Sequence, residues 1–117
     1  MTLDEKERLA RINDMGLEAS AIRLRAAIMA SGHTQKSFAD ALGLSKSVVN
    51  NAVVGLSYPN YRVMQYLFRA HRIDFNFMMN GLFSQLPGDV QDQLFPALAT
   101  AQHEWDRRER SGQHQGE

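Results

Sequence analysis

The sequence predicts an all-α fold, and three observations carry that expectation. No segment of four or more residues alternates apolar and polar side chains as a half-buried strand does. No Asn-Gly or Asp-Gly pair offers a hairpin turn. Apolar residues recur instead at spacings of three and four, and glycines at positions 16, 32, 43, 55 and 81 punctuate the runs. A chain of 117 residues that is 44% apolar can bury one modest core. The expected organisation is one domain with helical extensions.

Taken in order, "TLDE" at residues 2–5 has the Thr-x-x-Glu pattern of a capping box. It starts a helix expected to run to about Asn13, with Leu9 and Ile12 on one side, so that residues 1–16 form an N-terminal extension ended by Gly16. Leu17 to Ser31 is the second helix, in which Leu17, Ala21, Leu24 and Ile28 fall at core spacing. Gly32 stands where a left-handed C-cap is expected. Thr34 caps a third helix, Gln35 to Leu42, with Phe38, Ala39 and Leu42 inward and Gly43 at its end. Ser45 caps a fourth helix and Gly55 stops it. After the loop "LSYPNY", a fifth helix from about Tyr61 to His71 turns Val63, Met64, Leu67 and Phe68 inward. Asp74 caps a short sixth helix, "FNFMMN", whose Phe75, Phe77, Met78 and Met79 are expected in the core, and Gly81 closes it. Residues 17–83 make up this central domain.

"SQLPGD" at 84–89 is the expected linker to a C-terminal helical segment, 84–110. Within it Val90, Leu94, Leu98, Ala101 and Trp105 form a narrow apolar seam, and Pro96 is expected to kink or split the helix. The polar "SGQHQGE", 111–117, is expected to be disordered.

Composition excludes several functions. Without cysteine there are no disulfides and no thiolate metal sites, which suits a reducing cytoplasm. No apolar run approaches the roughly 20 residues of a membrane span, and "MTLDEKERLARIND" is too charged for a secretory signal. The expected location is therefore cytoplasmic. His33, His71, His103 and His114 show no i, i+4 spacing, so no metal is expected. Asp4 and Glu5, like Asp89 and Asp92, read as helix-start charges rather than as a catalytic pair. No nucleophile adjoins a base and no glycine-rich loop could cradle phosphate, so neither enzyme activity nor a cofactor is expected.

Thirteen basic and thirteen acidic residues cancel, but not evenly along the chain. Residues 31–83 hold Lys36, Lys46, Arg62, Arg69 and Arg72 against Asp40 and Asp74, whereas residues 84–117 hold three arginines against six acids. The middle is mildly basic, which permits a nucleic-acid partner without demanding one.

The unusual stretch is "SKSVVNNAVVG", residues 45–55. Its four valines disfavour a helix and its adjacent asparagines favour caps. On a wheel of about 100° per residue, Lys46, Ser47, Asn50 and Asn51 fall on one arc with Val54 between them. Val48, Val49, Ala52 and Val53 fill the opposite arc. A solvated helix face usually carries Glu and Lys pairs at spacing four. This face instead carries amides, which donate and accept at once. Such chemistry suits the base edges of a DNA groove: Asn to adenine, Lys to guanine, Ser to either.

The unit "TQKSFADALGLSKSVVNNAVVG" resembles the helix-turn-helix of the lambda-repressor-like (Cro/C1, XRE-type) family. Thr34, Gln35, Phe38, Ala39, Leu42, Gly43, Leu44, Ser45, Val49 and Gly55 match its pattern, and Pro59, Leu67 and "DFNFMMNG" resemble its later helices. The resemblance spans roughly residues 20–82. It implies a lambda-repressor-like domain of five helices and a sequence-specific transcriptional regulator bound to double-stranded DNA at the nucleoid. It also implies roles for residues. Gln35 would hydrogen-bond a phosphate, and Lys46, Ser47, Asn50 and Asn51 would face bases, with Lys46 able to reach a phosphate instead. Leu56, Ser57 and Tyr58 would approach the neighbouring backbone. Two departures stand out: Ala52, Val53 and Val54 replace the aromatic, acid and basic or amide residues that relatives often carry, and "LSYPN" has no Lys or Arg.

One such domain reads only a half-site, so a homodimer on a palindrome is expected. Leu94, Leu98 and Trp105 are the expected dimerisation residues, with the N-terminal helix as the competing surface. Alternatively the C-terminal seam covers its own chain. The rival function is a protein-interaction adaptor, anti-regulator or antitoxin that uses the same fold.

Overall fold

The helix Leu17–Ala30 (α2) is the spine of the fold. Its sequence mixes small and branched side chains, and every residue from Ala19 to Leu24 and from Ala26 to Ile28 is buried. A helix covered all round is a central one. The computed structural model describes the backbone of residues 1–115. These residues form six more helices: α1 (Leu3–Ala10), α3 (Gln35–Leu42), α4 (Lys46–Val53), α5 (Tyr61–His71), α6 (Phe75–Asn80) and α7 (Gly88–Gln115). No described residue lies in a strand, and no described helix is long and apolar enough to cross a membrane. α7 lies along α2 and also touches α1; α4 and α6 rest on α2, and α5 bridges α3 to α6.

Helix starts follow the caps. Thr2, Thr34, Ser45, Asn60 and Asp74 each accept from the backbone N–H three residues on. α1 stops at Ala10 rather than reaching Asn13, because Arg11 and Asn13 turn left-handed with φ of 52° and 68°. Asn13 N–H then donates to the Asn80 carbonyl at 2.7 Å, which ties α1 to the end of α6. Lys6 Nζ reaches Gln91 Oε1 at 3.2 Å and Arg11 Nε reaches Gln102 Oε1 at 3.2 Å, so the N-terminal segment is built into the body.

Behind that junction lies Arg23, a residue that apolar periodicity does not mark for the interior. Its side chain is 1% exposed. Nε donates to the Ala10 carbonyl at 2.9 Å, Nη2 to those of Arg11 and Asp14 at 2.6 and 2.7 Å, and Nη1 to those of Met79 and Met78 at 3.1 and 3.5 Å. Most of these carbonyls end α1 and α6, where a helix leaves acceptors without partners and carries the negative end of its dipole. Burial pulls the guanidinium down to about 10, with Asp14 opposing and Arg11 adding, so it stays cationic at neutral pH.

The C-terminal seam covers its own chain. Leu94 and Leu98 are fully buried with Val90 and Ala101 in the common core, so neither is free to pair with a second copy. The expected linker is a tight turn instead, since Leu86 is buried and Gln91 Nε2 closes on the carbonyls of Phe83 and Leu86. Asp89 begins α7 as a helix-start charge, and the hydrogen bond from Arg72 holds its carboxyl below the usual range. Pro96 does not split the helix, which is continuous through it. α7 also continues through residues 111–115, where a disordered tail is expected; residues 116–117 lie outside the described residues.

Three other expectations of burial give way. Leu17 is exposed because α2 only enters the core at Ala19. Phe68 and Phe75 are exposed too, since Met64, Leu67, Phe77 and Met78 already fill the space under α5 and α6.

His33, Phe38, Tyr66 and His71 form an aromatic cluster with ring centroids 5.4–6.0 Å apart. His33 bridges Ser37 Oγ and the Tyr66 hydroxyl at 2.8 Å each, pinning the start of α3 to α5. His71 Nε2 is buried and unpartnered among the described residues, and burial, then His33, pushes its pKa below the ordinary value. The unfolded chain therefore binds the proton more readily. Stability from His71 is complete above the unfolded value of about 6.5 and is lost as pH falls towards the lower folded value. Denaturant unfolding between pH 7.5 and 5.5 should show this loss in the native chain and less of it in His71→Phe; equal slopes in both would contradict the assignment.

Candidate functional site

Chemistry-bearing side chains that the fold leaves outward gather on α3 and α4. Thr34 and Ser37 close a capping box at the start of α3: Ser37 N–H donates to Thr34 Oγ1, and Thr34 N–H donates to Ser37 Oγ, both at 3.0 Å. Phe38, Ala39 and Leu42 bury the inner side of α3. Gly43 ends it, and Leu44 N–H returns to the Ala39 carbonyl at 3.0 Å, which makes the sharp reversal into Ser45. Ser45 Oγ accepts from Val48 N–H at 3.2 Å and starts α4. Only three residues separate the two helices.

α4 is held by a narrow back. Val49 and Ala52 are buried and Val53 is half-buried, whereas Val48 is exposed, contrary to its expected place on the packing arc. Eight residues resting on α2 and α3 need only that narrow strip. Val54 is half-buried rather than outward, because it caps the helix where the chain turns back to the body.

The outer side carries Lys46, Ser47, Asn50 and Asn51, all exposed. Gln35, half-buried at the first turn of α3, donates from Nε2 to Asn50 Oδ1 at 3.2 Å. That bond turns the Asn50 carbonyl toward α3 and leaves its two amide hydrogens for another acceptor. Ser57 is exposed beyond the end of α4. Tyr58 differs from the others. Its hydroxyl donates to the Met15 carbonyl at 2.7 Å, so only its ring is offered outward.

Two features of this region are invisible in the local sequence. Arg62, on the first turn of α5, donates from Nη2 to the Leu42 carbonyl at 2.6 Å. It places a cation with further free donors beside the turn between α3 and α4. The second is a brace from α7. Trp105 Nε1 donates to Glu18 Oε1 at 2.9 Å, and Arg108 stacks 4.0 Å above the indole while donating to the Val54 carbonyl at 3.2 Å. Gly55 lies under the indole with φ +82°; a Cβ there would come within 3.1 Å of the ring. Trp105, half-buried, therefore secures the end of α4 within its own chain. Contacts spanning 54 and 87 residues have no local signature.

Comparison with known proteins adds nothing to this geometry. No protein-family model, no curated protein and no solved structure matches the chain.

Proposed function

We propose that this protein is a sequence-specific duplex-DNA-binding transcriptional regulator, in which α3 and α4 act as a lambda-repressor-like helix-turn-helix. The observation that carries the reading is the outer face of α4: Lys46, Ser47, Asn50 and Asn51 are exposed together, while Val49 and Ala52 hold its back. A major groove about 12 Å wide admits such a helix and presents mixed donors and acceptors to it. Asn51 takes a base through its free amide, and Asn50 takes a neighbour with its orientation set by Gln35. Gln35 also meets a phosphate at the start of α3, where the helix dipole favours an anion. Arg62 and Lys36 add cations at the margin, a modest number for a DNA-binding surface. The regulator acts as a homodimer on a palindrome, needs no cofactor, and represses by occupying its site.

A second reading is a protein-binding adaptor, anti-regulator or antitoxin. The exposed Val48 and Leu56, which leave apolar surface beside the amides, favour it.

Substitution separates the two. Asn51→Ala should weaken binding to the preferred duplex by about 1–3 kcal/mol and relax one base position, because a bidentate contact is lost. Gln35→Ala should weaken every duplex through the lost phosphate contact and, by releasing the Asn50 amide, also relax the position read by Asn50. Competition titrations against single-base variants read both effects. If Asn51→Ala changed nothing while Val49→Ala abolished binding, only the fold would matter at this face.

A further inference from the structure

We propose that the face formed by Tyr61, Phe68 and Phe75 on α5 and α6 is where a second copy of this chain docks, an inference that rests on the homodimer reading above. The three rings are 77, 59 and 60% exposed. Tyr61 and Phe68 stand seven residues apart with Met64 and Gln65 between them, the spacing of a strip that packs helix against helix. Phe75 opens α6 beside that strip. Together with Met64, Gln65, Phe68, Asp74 and Asn76 it lines a cleft of about 340 Å³.

Size and charge both suit a copy of the same chain. Aromatic side chains bury about 150–250 Å² each, so the exposed parts of these rings amount to roughly 400 Å² per copy. Two copies would together hide about 800 Å² of aromatic surface, the apolar centre of a standard interface of about 1,200–2,000 Å². In a two-fold pairing each patch meets itself, so unpaired charge inside it would repel. Of the charges beside this patch, Arg72 is paired with Asp89, Asp74 is held by Phe77 N–H at 2.9 Å and Gln85 Nε2 at 3.1 Å, and Arg62 is directed to the Leu42 carbonyl at the turn between α3 and α4. Arg69 stands about 100° round the helix from Phe68, at the margin. The α7 seam is consumed by the chain's own core, and the N-terminal segment exposes the aliphatic Met1, Leu3, Met15 and Leu17 but no aromatic ring of its own. Phe68 of one copy would enter the cleft between Met64 and Phe75 of the other, and the reverse.

Sedimentation equilibrium of the full chain without DNA, from about 1 to 100 μM, tests this. The expected result is a reversible dimer, weakened at least about tenfold by Phe68→Asp and by Phe75→Asp and unchanged by Leu3→Asp. Circular dichroism and melting should match the native chain in all three variants, since each side chain is exposed. A monomer at every concentration would overturn the proposal, as would a dimer that survives both phenylalanine substitutions or is lost with Leu3→Asp. The two readings fail separately: a dimer that selects no duplex would refute only the DNA reading, and a monomer that binds single half-sites would refute this proposal and the homodimer it rests on while leaving DNA binding intact.

Discussion

Arg23→Met should destabilise the protein by about 3–5 kcal/mol, lowering its melting temperature by roughly 10–20 °C. The guanidinium is the donor for five backbone carbonyls, and those of Ala10 and Met78 lie where water does not replace it. Each buried acceptor left without a partner costs about 1–3 kcal/mol. Methionine fills similar volume and supplies no donor, so the loss reports hydrogen bonding rather than a cavity. Arg23→Lys should recover only part, because three donors on a compact head cannot span the ends of both α1 and α6. Urea unfolding followed by far-UV circular dichroism measures all three proteins. A loss below about 1 kcal/mol for Arg23→Met would mean that the carbonyls find other partners.

The second large effect is expected from Gly81→Ala, at about 2–4 kcal/mol. Gly81 ends α6 with φ +73°, a conformation that penalises a side chain, and an added Cβ would collide with the Ala10 carbonyl. It would also come within 2.9 Å of Arg23 Nη2. α1, α6 and the arginine meet too closely there for one more carbon. Because Gly81 and Arg23 share this junction, the double variant Gly81→Ala, Arg23→Met should lose less than the two single losses together. The clash with the Ala10 carbonyl remains in both backgrounds, so some penalty must persist. Full additivity would show that the two residues act separately.

The helices were legible because their starts are written locally. A Ser, Thr, Asn or Asp three residues before a backbone N–H in need of an acceptor is a short-range event, and five such caps stand where their residue types place them. The exposed amides of α4 were legible for a related reason: Val49 and Ala52 define a back, and the opposite side follows from helix geometry. What covers an apolar strip is not written locally. Leu94 and Leu98 have the same spacing whether they meet α2 or a second chain. The deciding facts are distant partners, such as Glu18 for Trp105 and Val54 for Arg108. Phe68 and Phe75 show the converse, since periodicity puts them inward while the space is already filled by Leu67 and Phe77. Arg23 lies furthest from sequence logic, because its role depends on where two other helices end.

Selection from random duplexes at about 0.15 M salt tests the central claim most directly. The amide face of α4, presented to a groove by a chain that pairs, should enrich a palindrome whose half-sites lie about one helical turn apart. Asn51→Ala should blur one position in each half. No enriched sequence at any salt, from a chain that is folded and helical, would contradict the account.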